Sequence, residues 1–326
     1  MKKLLWIFLA LAVLVHTAGT ATASRKNTAR QKTTASKVAS NVTTPTVRVL
    51  VNVPVAGVYV RSNHSSERVT EVLLGDEFRV ISVSKDWIYG SIPSQKGYRG
   101  WIGARNIITP ADDRFFTGQT FVQVKSKNTK LVTADGSTIS LAACTRLPMV
   151  GKTGTVYEVL LPGGMTGTLP AASCVVENEE FGRGVTPEDI MYAAEFLGAD
   201  YKWGGITASG MDCSGFVYSV FRVNGIYLKR DSYMQAGEGV DIPVKDLRPG
   251  DLVFFKSKGA KRITHVGIYI GYGNFIHASK SNNSVAISSL SEGYYKKGLV
   301  AARRILNSER NNRTAGSPAL MQLAKQ

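Results

Sequence analysis

Cysteine and histidine are scarce in this chain, at three and four of its 326 residues. Three thiols cannot all pair, so at least one of Cys144, Cys174 and Cys213 stays free even where disulfides form. No cysteine follows the small residues Ala21-Thr22-Ala23; position 24 is Ser, which leaves lipid attachment there without support. The apolar run Leu4 to Val15 is too short to span a bilayer comfortably. Acidic residues are also in deficit, 24 against 40 Lys and Arg, giving a net charge of +16. That balance suits an anionic wall or membrane surface. It comes without a basic stripe interleaved with aromatics, which argues against nucleic acid as a partner.

What is present divides the chain into regimes. Lys2 and Lys3 precede the apolar run, and the Ala21-Thr22-Ala23 site follows it, so residues 1–23 read as a secretory signal peptide and the mature protein as exported to the periplasm or beyond the cell. Residues 24–45, rich in Thr, Ser, Ala, Lys and Arg, read as a disordered linker. Over 46–112, short alternating runs such as Gly57-Val58-Tyr59-Val60 and Phe78-Arg79-Val80-Ile81 are punctuated by Gly, Asn, Asp and Pro, the pattern of a small all-β barrel. Val156 to Pro162 can be laid beside Trp87 to Pro93, and Gly167-Thr168-Leu169 beside Gly100-Trp101-Ile102. This internal similarity predicts a diverged second barrel over 113–182, the alternative being an irregular insertion. Cys144 and Cys174 lie in that stretch; they either bridge, stabilising it by roughly 3 kcal/mol, or stay as buried free thiols.

Residues 183–306 open with Thr186-Pro187-Glu188-Asp189, a helix start with Thr as cap, and Ile190, Ala193, Ala194 and Leu197 carry the spacing to Gly198. Strands follow at Leu252 to Phe255, Ile263 to Ile270 and Asn274 to Ser279, so helices come first and strands after, an α+β domain. Residues 307–326 form a polar tail.

Between these helices and strands, a glycine-rich loop (Gly204, Gly205, Gly210) runs into Asp212 and Cys213, and Phe216, Val217, Val220 and Phe221 continue at helical spacing. Cys213 therefore sits on the first turn of a helix, where unpaired N–H groups and the helix dipole favour a thiolate. The bland alternative is a small buried hydrophobe. His16 belongs to the leader and His64 to a polar turn, which leaves His265 and His277, each in a strand of one hairpin. A cysteine nucleophile needs a base and a group to orient that base, and Cys213, His265 and His277 fill those roles.

Asp212-Cys213-Ser214-Gly215-Phe216-Val217, Arg230-Asp231-Ser232, Pro249 to Phe255, Thr264-His265-Val266-Gly267 and Phe275-Ile276-His277-Ala278 resemble, in order and spacing, the NlpC/P60 family of cell-wall cysteine peptidases. Leu74 to Phe78, Asp86-Trp87 and Gly97 to Ile102 resemble bacterial SH3 domains. The resemblance implies a papain-like catalytic domain behind two SH3-like barrels, with Cys213 as nucleophile, His265 as base and His277 as orienting group, and no cofactor or metal. The whole architecture is similar to that of the γ-D-glutamyl-L-diamino acid endopeptidases, which act on stem peptides with a free N-terminal L-Ala. This implies Asp212, Ser214, Ser232, Tyr201 and Trp203 as substrate contacts, with Tyr98 and Glu67 contributed by the first barrel. Asp212 would hold the substrate ammonium. On residue type alone Asp212 is equally a cap for the Cys213 helix, and Tyr201 and Trp203 are equally core aromatics. The expected partners are murein fragments, met by a monomer without a stable membrane anchor; an endopeptidase for intact wall and a non-enzymatic wall-binding protein are the other two readings.

Overall fold

Alternation of apolar and polar residues produces two antiparallel sheets of seven strands. In the computed structural model the first comprises β1 (Arg48–Val51), β2 (Val55–Tyr59), β3 (Arg68–Leu73), β4 (Glu77–Ser84), β5 (Trp87–Ile92), β6 (Tyr98–Gly103) and β7 (Ile107–Ile108). Their order is β3-β2-β6-β5-β4-β1-β7. Ile88 and Ile92 of β5 are buried, as are Leu50, Val58 and Phe78 of β1, β2 and β4, while Trp87 and Tyr89 stay half-exposed, as a two-residue period requires. The structure describes residues 47–117, 119–177 and 187–305, and Gln322. The expected leader 1–23 and linker 24–45, the cap Thr186 and the tail 307–326 apart from Gln322 lie outside the described residues.

The second sheet is built from β8 (Phe121–Val124), β9 (Asn128–Thr133), β10 (Thr138–Ala142), β11 (Arg146–Thr153), β12 (Val156–Leu160), β13 (Thr166–Pro170) and β14 (Cys174–Val176). Its order is β10-β9-β13-β12-β11-β8-β14. Counted from its own first strand, that is the order of the first sheet. A single 3-10 turn, Ala104–Asn106 in one and Ala171–Ser173 in the other, joins the sixth strand to the seventh in both. The similarity read from the sequence falls on the fifth and sixth strands of each. All three thiols are free. Cys144 lies buried with its thiol donating to the Ser219 carbonyl at 3.3 Å, and Cys174 is half-buried on β14.

In the third region the helix Pro187–Ala194 and the two-residue strands β15 (Ile206–Thr207) and β16 (Gly210–Met211) precede the Cys213 helix, Cys213–Arg222. The first helix stops four residues short of the expected Gly198. Past Ala194 the N–H groups of Glu195, Phe196 and Leu197 reach back three residues instead of four, the tightened turn common at helix ends. After the short helix Ser232–Gln235 come β17 (Val240–Asp241), β18 (Leu252–Phe255), β19 (His265–Gly271), β20 (Asn274–Ser279), β21 (Ser284–Ser289), the helix Gly293–Gly298 and β22 (Leu299–Arg304). They form an antiparallel sheet in the order β17-β22-β18-β19-β20-β21. Among the described residues no helix is long and apolar enough to cross a membrane.

The spacing of Phe216, Val217, Val220 and Phe221 predicts a helix with one apolar face, but all ten residues of the Cys213 helix are buried. One side packs on Val266, Ile268 and Ile276 of the third sheet. The other side is covered by the first two sheets. Arg222 forms a buried ion pair with Asp76, Tyr218 donates to the Ser94 carbonyl at 3.1 Å, and Gln123 donates to the Val223 carbonyl at 2.8 Å. Polar residues on that face are thus not solvated but matched by partners distant in sequence. Removing one member of a buried pair leaves the other charge uncompensated. Asp76→Ala is therefore expected to lower stability by about 3–5 kcal/mol, measured as a shift of the urea midpoint; a shift below about 1 kcal/mol would refute this role.

Candidate active site

The site begins with a loop that glycine allows to fold tightly. An added Cβ at Gly215, on the first turn of the Cys213 helix, would sit 2.0 Å from the Gly205 carbonyl, so the loop and the helix meet backbone to backbone. Asp212 is the helix cap, its Oδ1 accepting from the Gly215 N–H at 2.7 Å. The same carboxylate accepts from the Gly204 N–H at 2.8 Å, from Ser214 Oγ at 3.2 Å, and from both terminal nitrogens of Arg230 at 2.7 and 3.0 Å. Arg230 is itself buried, and its Nε donates to Thr70 Oγ1 on β3 at 2.9 Å. Asp212 lines the cleft, while its carboxylate already takes five hydrogen bonds and pairs with Arg230. The cap, one of the two readings left open for it, is in place.

Cys213 opens the helix with its thiol on a cleft wall that His265 also lines. Burial pushes the thiol up to about 12, and the neighbouring Asp212 charge adds to this; the backbone N–H groups of Val266 and Ser214 pull it down. Burial also pushes His265 down to about 4, against a smaller opposing effect of Asp212. The helix start alone predicts a thiolate, but desolvation outweighs it and favours the neutral thiol, as it favours the neutral imidazole.

Register brings the two histidines together. On β19 and β20, Ile268 faces Ile276 and Tyr269 faces Phe275, so His265 and His277 lie diagonally on one face of the sheet. His265 Nε2 and His277 Nδ1 are 2.9 Å apart. Between them along β19 stands Gly267, where a Cβ would come 2.5 Å from the Phe275 ring and 3.1 Å from His277 Cβ. Phe275 stacks on His277 at 4.7 Å, and Tyr295 meets the same imidazole edge-on at 5.2 Å. Burial first, and then the His265 charge, hold His277 down at about 3. Its second nitrogen, Nε2, lies 3.0 Å from Ser288 Oγ on β21.

The cleft encloses about 910 Å³, and the first sheet supplies part of its wall. Glu67, just before β3, and Tyr98 on β6 line it with Tyr201, Trp203, Asp212, Ser214 and Ser232, so all the expected contact residues converge there. They differ in what they have left to offer. Glu67 Oε1 accepts from Trp203 Nε1 at 2.8 Å, joining first sheet to third region, and Trp203 remains 57% exposed, a wall and not a core aromatic. Ser214 accepts from Arg230 at 2.9 Å as well as donating to Asp212. Asp231 also lines the cleft. Tyr98 Oη donates to its carboxylate at 3.1 Å, and burial raises its pKa against the pull of Arg230 and Tyr98. Sequence reasoning passed over it although Arg230-Asp231-Ser232 was in view, and it passed over Gly267 and Ser288 as well. Among the described residues no three of His, Cys, Asp and Glu converge as a metal site.

Comparison with known proteins decides the lineage of this arrangement. The NlpC/P60 family model matches residues 198–304. A gamma-D-glutamyl-L-lysine dipeptidyl-peptidase of Bacillus subtilis is 33% identical over 243 residues, covering 72% of this chain and 80% of that protein. The chain belongs to the NlpC/P60 family. It is accordingly a cysteine peptidase, a hydrolase. The Murein DD-endopeptidase MepS/Murein LD-carboxypeptidase of Escherichia coli is 41% identical over 151 residues, 46% of this chain and 79% of that one. A crystal structure of an NlpC/P60 family protein from Bacillus cereus superposes with a TM-score of 0.75 at 26% identity, over 80% of this chain and all of the other. Within the NlpC/P60 fold the geometry singles out Gly267 as a position where a methyl group has no room. Gly267→Ala is expected to lower stability by about 1–3 kcal/mol and to reduce turnover by displacing His277, read by thermal melting together with kcat. A variant with the wild-type Tm and rate would show the contact to be soft.

Proposed function

We propose that this protein hydrolyses the amide bond between γ-D-glutamate and the following diamino acid in peptidoglycan stem peptides that carry a free N-terminal L-Ala. One observation carries the reading: a carboxylate with spare acceptor capacity, Asp231, stands in the cleft with a hydroxyl from the first sheet, Tyr98, bonded to it. A buried ammonium requires such a partner. The relatives add weight. Two Bacillus proteins named gamma-D-glutamyl-L-lysine dipeptidyl-peptidase align over 243 and 250 residues, well beyond the third region. In this reading the two seven-stranded sheets are diverged SH3-like barrels, the first of which narrows the cleft to short peptides. Residues 1–23 direct export, so that the enzyme meets murein fragments outside the cytoplasm.

The chemistry follows from the ring contacts. With His265 Nε2 engaged by His277, Nδ1 is the nitrogen able to take a proton. As the Cys213 sulfur attacks the γ-carbonyl carbon, its proton passes to His265 Nδ1. The oxyanion gathers at the Cys213 backbone N–H, at the start of a helix whose Gly215 N–H is already taken by Asp212. His265 then protonates the departing amine, leaving a thioester between Cys213 and the glutamyl γ-carbon. Water, deprotonated by His265, cleaves that thioester and restores the thiol. Since the resting pair is neutral, the base must be unprotonated for the first step. The low His265 pKa of about 4 keeps it so well below neutrality.

A second reading, an endopeptidase for intact wall, is favoured by the 41% identity to the Escherichia coli murein endopeptidase. The two separate on the substrate's amino end. Acetylating the L-Ala nitrogen removes the charge facing Asp231, which is expected to cost about 2–5 kcal/mol, or roughly thirty- to several-thousand-fold in kcat/KM. Asp231→Asn is expected to cost as much on the free peptide and little on the acetylated one. Equal kcat/KM for L-Ala-γ-D-Glu-L-Lys and its acetylated twin would sink the free-amine reading and favour the wall endopeptidase. Cys213→Ala, expected to fold and to be inactive on both, supplies the blank. The pH profile carries a signature too. The acid limb is expected near pH 4 and not near 6.5, because a depressed base pKa keeps His265 neutral to lower pH. An alkaline fall near pH 8 is expected with the free peptide alone, as its α-ammonium, with a pKa of about 7.7–8.0, loses its proton.

A further inference from the structure

His277 is fully buried, and both of its ring nitrogens are engaged, Nδ1 by His265 Nε2 at 2.9 Å and Nε2 by Ser288 Oγ at 3.0 Å. The β20–β21 register sets Phe275 opposite Ser288 and His277 opposite Ala286. His265, His277 and Ser288 therefore form one diagonal line across three adjacent strands. Ser288 is half-buried and lines a second, smaller cavity of about 410 Å³, separated from the first by Tyr294 and Tyr295, which line both.

Proton positions along this line are not independent. If His265 Nδ1 is to accept the thiol proton, its ring hydrogen must sit on Nε2 and point at His277 Nδ1. That nitrogen must then be bare, so His277 carries its own hydrogen on Nε2, directed at Ser288 Oγ. The reverse arrangement puts a hydrogen on His277 Nδ1, forces the His265 hydrogen onto Nδ1, and leaves that ring unable to act as base. A hydroxyl can accept at Nε2–H while its own hydrogen turns toward the second cavity. Remove it, and the productive tautomer buries an unpaired N–H while the unproductive one does not.

We infer that Ser288 is a positioning residue of the catalytic centre: its hydroxyl accepts the His277 Nε2–H and so holds both rings in the one tautomer in which His265 Nδ1 is a base. The inference rests on the reading of Cys213 and His265 as nucleophile and base, and it concerns a residue that touches neither the substrate nor the thiol. It accounts for an otherwise unremarked placement, a hydroxyl at the end of a buried imidazole pair with a cavity behind it into which its own hydrogen can turn.

The test compares Ser288→Ala, Ser288→Thr and, as a control for a lost hydroxyl at the same cavity, Ser289→Ala. Three readouts are taken: kcat and KM on L-Ala-γ-D-Glu-L-Lys, the rate of iodoacetamide alkylation at Cys213, and the imidazole tautomers from proton–nitrogen correlation spectra of the histidine rings. Ser288→Ala is expected to lower kcat about ten- to a hundred-fold, the range of an equilibrium shifted by one unpaired buried donor, with KM within about two-fold. Its alkylation rate should fall in step, and His277 should lose its Nε2–H signature. Ser288→Thr, which keeps the acceptor, is expected to stay within about three-fold of wild type and Ser289→Ala to match it. Should Ser288→Ala fold poorly, Ser288→Cys keeps the volume, weakens the acceptor and is expected to move all three readouts the same way to a smaller extent. Wild-type kcat in Ser288→Ala, or an unchanged His277 tautomer, overturns the inference. A wild-type protein that cleaves no stem peptide, while its His277 tautomer still depends on Ser288, counts against the proposed function and in favour of the ring-holding role.

Discussion

The buried pair of Arg230 and Asp212 is the interaction on which the rest of the site depends. Two ions removed from water are tolerated only when every lone pair and donor finds a partner. Here the carboxylate takes two bonds from the guanidinium, two from backbone N–H groups and one from Ser214. Those backbone groups belong to the loop before the nucleophile and to the first turn after it. The pair therefore fixes the point in space at which the Cys213 helix starts. Because Arg230 also reaches Thr70, that point is referred to the first sheet as well as to the third region.

A nucleophile placed this way carries an electrostatic burden. Asp212 lies next to the thiol, and the negative charge that caps the helix opposes formation of a second negative charge on sulfur. The Arg230 charge answers part of it. What remains is a neutral thiol and a neutral base, poised for proton transfer during attack and not before. The aromatic enclosure of the histidines has the same effect: Phe255, Phe275 and Tyr295 exclude the water that would otherwise stabilise an imidazolium. Charge is thus held back until a substrate carbonyl is present to receive it.

Much of the chemistry was legible in the sequence because it lies in residue types that have few other uses. A cysteine at a helix start and two histidines in one hairpin are rare enough to read without a structure, and β19 and β20 place those histidines as the strand pattern requires. What escaped notice depends on partners far apart in the chain. Nothing in the sequence around Asp212 shows that Arg230 arrives to pair with it. The cover on the far side of the Cys213 helix could not be read from its apolar spacing, because Asp76 and Ser94, in turns between strands of the first sheet, and Gln123 on β8 lie far from it in the chain. Gly267 contributes by what it lacks, and Ser288 sits in a serine-rich hairpin where one hydroxyl is indistinguishable from its neighbours. The third region's first helix ended early because the backbone tightened into turns, a choice that apolar spacing does not record.

The shared strand order of the first two sheets has a consequence for how freely each can change. Both present the same plan of seven strands, yet they grip the Cys213 helix at different places and for different purposes. The first offers Glu67 and Tyr98 to the cleft and Asp76 and Thr70 to buried arginines, so substitutions there change the cleft wall as well as the packing. The second offers Gln123 and Cys144 to backbone carbonyls at the far end of the helix, where only shape and one or two donors matter. One plan thus serves two unequal tasks, a share of the cleft wall in the first copy and support of the helix in the second.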